Sequence, residues 1–255
     1  MSQAPLITVA VPSFNQGRYL NEALTSIFAQ DLPLEVYVLD GGSTDESVEV
    51  IEHWSDRLAG WRSHRDAGQS AAINEGIAAG SAPYVCWLNS DDLFMPGGLS
   101  TLLNALRGAP DASAAYGRAW NFEQRTHQRR SALVLPFREW LFAQFCFISQ
   151  PATLIRRSAW QAVGGLDTAL QMAMDYDLWW RLSKVGGSLC FANAYVAVNR
   201  EHDETKTNTQ RALHYREAMR VVRSHYGRVP LKWWLAQPYA IWYRSLKLRL
   251  TSRQT

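Results

Sequence analysis

Short apolar runs alternate with helix-period segments through the first hundred residues. Residues 6–11 (LITVAV) predict a strand closed by Pro12-Ser13-Phe14-Asn15. Residues 19–28 set Leu20, Leu24, Ile27 and Phe28 on one helical face. Residues 34–39 (LEVYVL) predict a second strand ending at Asp40-Gly41-Gly42-Ser43-Thr44-Asp45, with a helix in ESVEVIEHW after it. A short third strand over 61–64, a small-residue helix over 70–79, a fourth strand over 84–88 and a helix over 99–106 follow. Such alternation predicts an α/β fold with a doubly wound, mainly parallel sheet. Ligands then bind beyond the carboxyl ends of the strands. The polar clusters fall there: Pro12–Asn15, Asp40–Asp45, Asp66–Gln69 and Asn89–Asp92.

From about residue 112 the alternation breaks. Residues 113–120 and 131–135 predict strands around a polar turn, 137–147 is aromatic-rich, and QPATLIRRSAWQAVGGLD reads as strand, helix and Gly-Gly turn. AMDYDLWWRL (173–182) is helical, 189–198 a strand, NREHDETKTNT a polar loop, and 213–225 and 231–250 helices broken by Pro230 and Pro238. No internal repeat is present.

Composition narrows the class. The 255 residues are 47% hydrophobic and 19% charged, which suits one large globular domain or two small ones. Cys86, Cys146 and Cys190 are scattered, so neither a disulfide framework nor a structural zinc site is expected, and a reducing compartment fits. The N-terminus lacks the basic and apolar regions of a secretory signal, and no apolar run reaches the roughly 18–20 residues of a membrane span. The net charge of +3 is uneven: residues 211–255 hold ten Lys/Arg against Glu217, a net of +9, leaving −6 for the rest.

Five groups could carry chemistry. Asn89-Ser90-Asp91-Asp92 crowds two carboxylates at a strand end, and a hard divalent cation such as Mg²⁺ or Mn²⁺ would offset their repulsion; a solvated loop capped by Asp92 is the alternative. Asp40 to Asp45 combines a strand-end carboxylate with glycines that allow close backbone approach, or is a plain helix cap. Asp66, Gly68 and Gln69 precede a helix of small residues that can pack against a ligand, or against the sheet. Asp175 and Asp177, two apart on a helix, point to different faces, so one can serve as a general base in a cleft while the other pairs. Arg200, His202 and Lys206 could meet a diphosphate or metal, or lie in a surface loop. The dinucleotide, P-loop, GxSxG and HExxH signatures are absent.

Taken in order, ITVAVPSFNQGRYLNEALTSIFAQ, LEVYVLDGGSTDESVEVI, DAGQSAAINEGIAAGSAPYVCWLNSDDLFMPGGL, SQPATLIRRSAWQAVGGLDTAL, MDYDLWWRL and NREHDETKT resemble the inverting family 2 glycosyltransferases of bacteria, over most of residues 6–208. The resemblance implies a GT-A fold with a Rossmann-like nucleotide-sugar-binding half (1–117), an acceptor-binding and catalytic-base half (118–208) and a basic, aromatic helical tail (209–255). It implies a metal-dependent enzyme that moves a sugar from a nucleotide-diphosphate donor to a hydroxyl of a glycan or lipid-linked acceptor, as in polysaccharide biosynthesis. Pro12, Ser13, Phe14, Asn15, Asp40, Asp66, Gln69, Asn89, Ser90 and Arg200 are the implied donor-binding residues. Asp91 and His202 are the implied ligands of Mg²⁺ or Mn²⁺, and Asp175 the implied base. Three positions depart from the family pattern: Asn89 replaces the first Asp of D-x-D, Gly41 replaces an Asp that can read a uracil edge, and Met174 replaces an acidic residue before the base. A sugar nucleotidyltransferase and a non-catalytic sugar-nucleotide-binding protein are the alternatives. The tail suits an anionic membrane interface or a packed helical pair, with nucleic acid the weakest partner. A cytoplasmic protein, free or peripheral on the inner face of the cell membrane, is expected.

Overall fold

The computed structural model describes residues 3–202 and 209–237. A nine-stranded sheet runs through it in the order β3-β2-β1-β4-β8-β6-β9-β5, with β7 paired to β6. Strands β1 (Ile7–Ser13), β2 (Leu34–Asp40), β3 (Gly60–Ser63) and β4 (Tyr84–Trp87) pair in parallel. Beyond β4 the pairing is mixed. β8 (Thr153–Arg156) is antiparallel to β4 and to β6 (Ala112–Glu123), and β9 (Ser188–Glu201) is parallel to β6. β5 (Leu93–Phe94) and β7 (Gln128–Ser131) add antiparallel edges.

Helices cover both faces, and strand alternation sorts the side chains between them. Ile7, Val9 and Val11 of β1 and Cys86 of β4 join one core, with Leu20, Leu24 and Ile27 of α1 (Gly17–Phe28), Ile51 of α2 (Ser47–Trp54) and Leu99, Leu102, Leu103 and Leu106 of α4 (Gly98–Arg107). Ala10, Val85 and Trp87 point the other way, into a core with Ile73 and Ile77 of α3 (Gln69–Ala79) and Trp160 of α6 (Arg157–Val163). That core also takes Phe142 of α5 (Glu139–Phe142), Trp179 and Trp180 of α7 (Met174–Ser183), and Val221 and Val222 of α8 (Arg211–Tyr226). β1 is buried at every position because strands flank both edges and helices both faces. Each fully buried Leu or Ile of α1 contributes about 1.5–3 kcal/mol. Gly76 lets α3 sit close to the sheet: a Cβ there would come within 2.4 Å of Leu39 and 2.9 Å of Ala10.

Several expected boundaries move. β7 ends where a strand over 131–135 was expected to start, because residues 128–131 are the ones that pair with β6. The polar loop after 198 is partly strand: Asn199, Arg200 and Glu201 continue β9 against Asn121–Glu123. The two-residue β5 has too little sequence to show a period. Four tryptophans are buried in the core, Trp87 lying against Trp160 and stacked on Trp179, with Trp180 beside them. The tail begins as α8, packed into the core beside α7, and continues as α9 (Leu231–Gln237). Lys206 and residues 238–250 lie outside the described residues. Among the described residues no helix is long and apolar enough to cross a membrane.

Candidate active site

Because β1 to β4 are parallel, their carboxyl ends share one edge of the sheet. The turn after β1 stands on the turn after β2. Gly41 N donates to Ser13 O (2.8 Å), Asn15 N to Ser43 Oγ (2.8 Å) and Thr44 N to Asn15 Oδ1 (2.9 Å). Asn15 takes a φ of 52°, one of two non-glycine residues with positive φ among those described. Pro12 and Ser13 are buried, whereas Phe14 is 61% exposed. A Cβ at Gly41 would lie 3.2 Å from Phe14 Cδ2, so the glycine leaves that ring room over the β2 turn. An exposed aromatic face beside a strand end is a stacking surface for a flat ring.

Asp40 sits at the end of β2. It is fully buried, and its carboxylate accepts from Gly42 N (3.0 Å), Ser43 N (2.9 Å), Ser63 Oγ (2.7 Å) and Ser43 Oγ (2.5 Å). Asp40 therefore shapes the 41–44 turn and joins β2 to β3. Asp66 lies at the far side, accepting from Gly68 N (2.8 Å) and pairing with Arg62 (3.1 Å).

The end of β4 resolves the two adjacent carboxylates into different roles. Asp92 is 1% exposed; Oδ1 accepts from Arg200 N (2.9 Å) and Oδ2 from Asn89 Nδ2 (3.1 Å). Burial first, then the charge on Asp91, pushes its carboxyl well above the usual range. Asp91 is the outer group: Oδ2 meets His202 Nε2 (3.0 Å) and accepts from Gln16 Nε2 (3.2 Å). Ser90, buried, donates to Gln16 Oε1 (2.5 Å). Asn89 uses its whole amide, donating to Asp92 and to Gln150 Oε1 (3.0 Å) and accepting from Gln69 Nε2 (2.8 Å). An aspartate could not make those two donations, which explains in physical terms why this position is an amide here.

Arg200 and His202 are strand-end residues rather than part of a free loop. Arg200 pairs with Glu22 of α1 and lies 4.7 Å over the Tyr19 ring, and His202 packs on the same ring at 4.9 Å. Among the described residues no three His, Cys, Asp or Glu gather as a metal cage. Asp91 and His202 do fit the sparser set of Mg²⁺ or Mn²⁺, which is often bound by one or two protein groups with substrate phosphates supplying the rest.

The acidic helix α7 splits its two carboxylates. Asp177 is a structural anchor, paired with Arg181 Nε (2.7 Å) and His225 Nε2 (2.7 Å). Burial alone would raise it, but the His225 hydrogen bond and the Arg181 charge outweigh that and hold it below the usual range. Among the described residues Asp175 has no such cation in contact. Its Oδ1 accepts from Tyr176 N (2.7 Å), and burial raises its carboxyl despite that bond and the nearby His214. Met174 is buried and accepts from Ser70 Oγ at Sδ (2.7 Å). Through Gln69 and Ser70, α3 thus touches both the Asn89 cluster and the turn that carries Asp175.

Gln16, Gln150 and His214 belong to this site and were not marked by sequence. Gln16 directly follows the PSFN turn, which is a usable signal. Gln150 lies in the SQPATLIRR segment, whereas His214 reaches the site from over 35 residues away and leaves none.

Residues 8–164 match the protein family described as Glycosyl transferase family 2. An uncharacterized glycosyltransferase of Rickettsia typhi is 27% identical over 217 residues, covering 81% of this chain and 67% of that protein. Chondroitin synthase of Escherichia coli is 23% identical over 189 residues, 73% of this chain but 28% of the synthase. Two solved structures share the fold. TarS 1-349 of S. aureus, in complex with UDP-GlcNAc, superposes with a TM-score of 0.70 at 15% identity over 86% of this chain, which spans 66% of that one. The mannosyltransferase PcManGT of Pyrobaculum calidifontis, in complex with GDP-Man and Mn²⁺, gives 0.67 at 18% identity over 100% of this chain and 77% of its own.

Proposed function

The chain belongs to glycosyltransferase family 2, and from that premise we propose that it transfers a sugar from a nucleotide-diphosphate donor to a hydroxyl of a glycan or lipid-linked acceptor by a single inverting displacement. The observation that carries the mechanism is the division of labour on α7: Asp177 is tied to Arg181 and His225, whereas Asp175 has a carboxyl raised by burial. A carboxylate raised toward neutral pH is a better proton acceptor than an exposed one. Asp175 takes the acceptor's hydroxyl proton as its oxygen bonds to the anomeric carbon and the bond to the diphosphate breaks. No enzyme nucleophile is required.

Phe14 and the 41–44 turn offer the base and ribose a platform, with Asp40, Asp66 and Gln69 holding its shape. Asp91 and His202 would hold Mg²⁺ or Mn²⁺, with Gln16 and Ser90 fixing the Asp91 turn. When bound, the cation supplies charge stabilisation for the leaving diphosphate. Donor complexes of the two fold neighbours, with UDP-GlcNAc and with GDP-Man and Mn²⁺, support this donor class. Leu231, Trp234 and Leu235 are exposed on α9 beside Lys232, which supports peripheral contact with an anionic membrane near the acceptor.

A panel of UDP- and GDP-sugars with Mn²⁺ tests the reading. One member should raise the melting temperature and be turned over, and Asp91→Ala should weaken its binding. No turnover across the panel, with donor binding unaltered in Asp91→Ala, would refute it.

A further inference from the structure

We propose that Glu217, on the C-terminal helix α8, is a positioning residue for the base Asp175: it fixes the segment that launches α7 and so sets where the Asp175 carboxylate points. The proposal rests on Asp175 being the base. Glu217 is 5% exposed and reaches across to α7 from a distance of more than 40 residues in sequence. Its Oε2 accepts from Met172 N (2.8 Å), Ala173 N (3.0 Å) and Gln171 N (3.2 Å), and its Oε1 shares the last of these at 3.2 Å. Those three residues immediately precede Met174 and Asp175. Ala173 is the N-cap of α7, so the N–H groups that Glu217 takes are those of the N-cap and of the two residues leading into it.

One carboxylate brought in from another helix thus holds the entry to α7. It places negative charge at the positive end of the helix dipole, where it is favoured. The rest of α8 keeps the two helices in register: Val221 and Val222 pack into the shared core, and His225 grips Asp177 two residues beyond Asp175. His214 lies one turn before Glu217 and feels the charge of both Glu217 and Asp175, so this face of α8 is turned toward the base.

A shift of about 1 Å in a reacting group can cost roughly 10²-fold in rate. Two conservative variants separate reach from charge. Glu217→Gln keeps the length and one oxygen for Met172 and Ala173; Glu217→Asp keeps the charge but withdraws it by one methylene. The probe is hydrolysis of whichever UDP- or GDP-sugar of the panel is turned over, with water standing in for the acceptor, together with donor Kd. Both variants should bind donor like wild type. Glu217→Asp should lose about 10²-fold in kcat, and Glu217→Gln less than tenfold. Wild-type kcat in Glu217→Asp would overturn the proposal. So would an Asp variant at least as active as the Gln variant, or a loss of donor affinity matching the loss of kcat. Asp175→Asn, assayed alongside, separates the two claims: retained turnover there removes the base itself, whereas its loss with full activity in Glu217→Asp removes only the role of Glu217.

Discussion

Asn89→Asp would restore the family's usual carboxylate at the end of β4, and the structure predicts that it destabilises the protein. Asn89 Nδ2 lies 3.1 Å from Asp92 Oδ2 and 3.0 Å from Gln150 Oε1, with Asp92 1% exposed. The change replaces two donations with two contacts between acceptors. At 3.1 Å and an effective dielectric of about 20, two full charges repel by about 5 kcal/mol. That is an upper bound, because one carboxyl can take up a proton instead. A net cost of about 2–4 kcal/mol at pH 7 follows, including the lost hydrogen bonds. For a chain of this size that is roughly 4–16 °C in melting temperature. The pH dependence has a definite sign. Asp92 already has a folded pKa above its ordinary 3.8, and a carboxylate raised on folding costs stability only where it must ionise. The penalty is absent below the ordinary value and grows as pH rises through the folded one, so the gap to wild type should narrow as pH falls toward 4. Thermal denaturation of both proteins from pH 4 to 8 measures this. Equal melting temperatures at pH 7, or a gap that widens on acidification, would refute the hydrogen-bond assignment at Asn89.

Two further substitutions probe the frame around the site. A Cβ at Gly98 would come within 2.3 Å of Val196 O, a backbone atom that cannot turn aside. Gly98→Ala should therefore cost about 1–3 kcal/mol, visible as a lower denaturation midpoint; an unchanged midpoint would mean that α4 and β9 are further apart. Asp177→Asn removes the partner of both Arg181 and His225, and with all three side chains less than a quarter exposed a loss of about 2–3 kcal/mol is expected. Asp177 is held below its ordinary 3.8, so its contribution is full above that value and disappears only as pH falls through the lower folded one. Urea midpoints should show a deficit at every pH from 5 to 8; a deficit that vanished near pH 5 would contradict the pairing.

The parallel half of the fold could be read from the chain because its signals are local. β1 and β4 are largely apolar runs, as strands buried on both faces must be, β2 is apolar but for Glu35, and α1 carries its leucines at helical spacing. The polar clusters then fall at the carboxyl ends of the parallel strands, where the alternation puts them. What was hidden depends on partners distant in sequence. The bonds from Asp40 to Ser63 and to the 42–43 amides depend on β3 and on the folded turn. Arg200 looked like loop because its run is polar, yet β6 pairs with it as strand. Gln150 and Glu217 acquire their roles only when β8 and α8 fold against the site. Of the two readings the tail allowed, its first helix takes the packed one, with Val221 and Val222 in the core.

The most direct test of the account is Asp175→Asn, with single-turnover kinetics and donor affinity measured on the same preparation. A neutral amide keeps the shape but cannot accept the acceptor's proton, and a positioned base is worth roughly 10²–10⁴-fold. Turnover should fall by that factor while donor Kd and melting temperature stay at wild-type values. Turnover within a few-fold of wild type would show that another group takes the proton and that α7 does not carry the base.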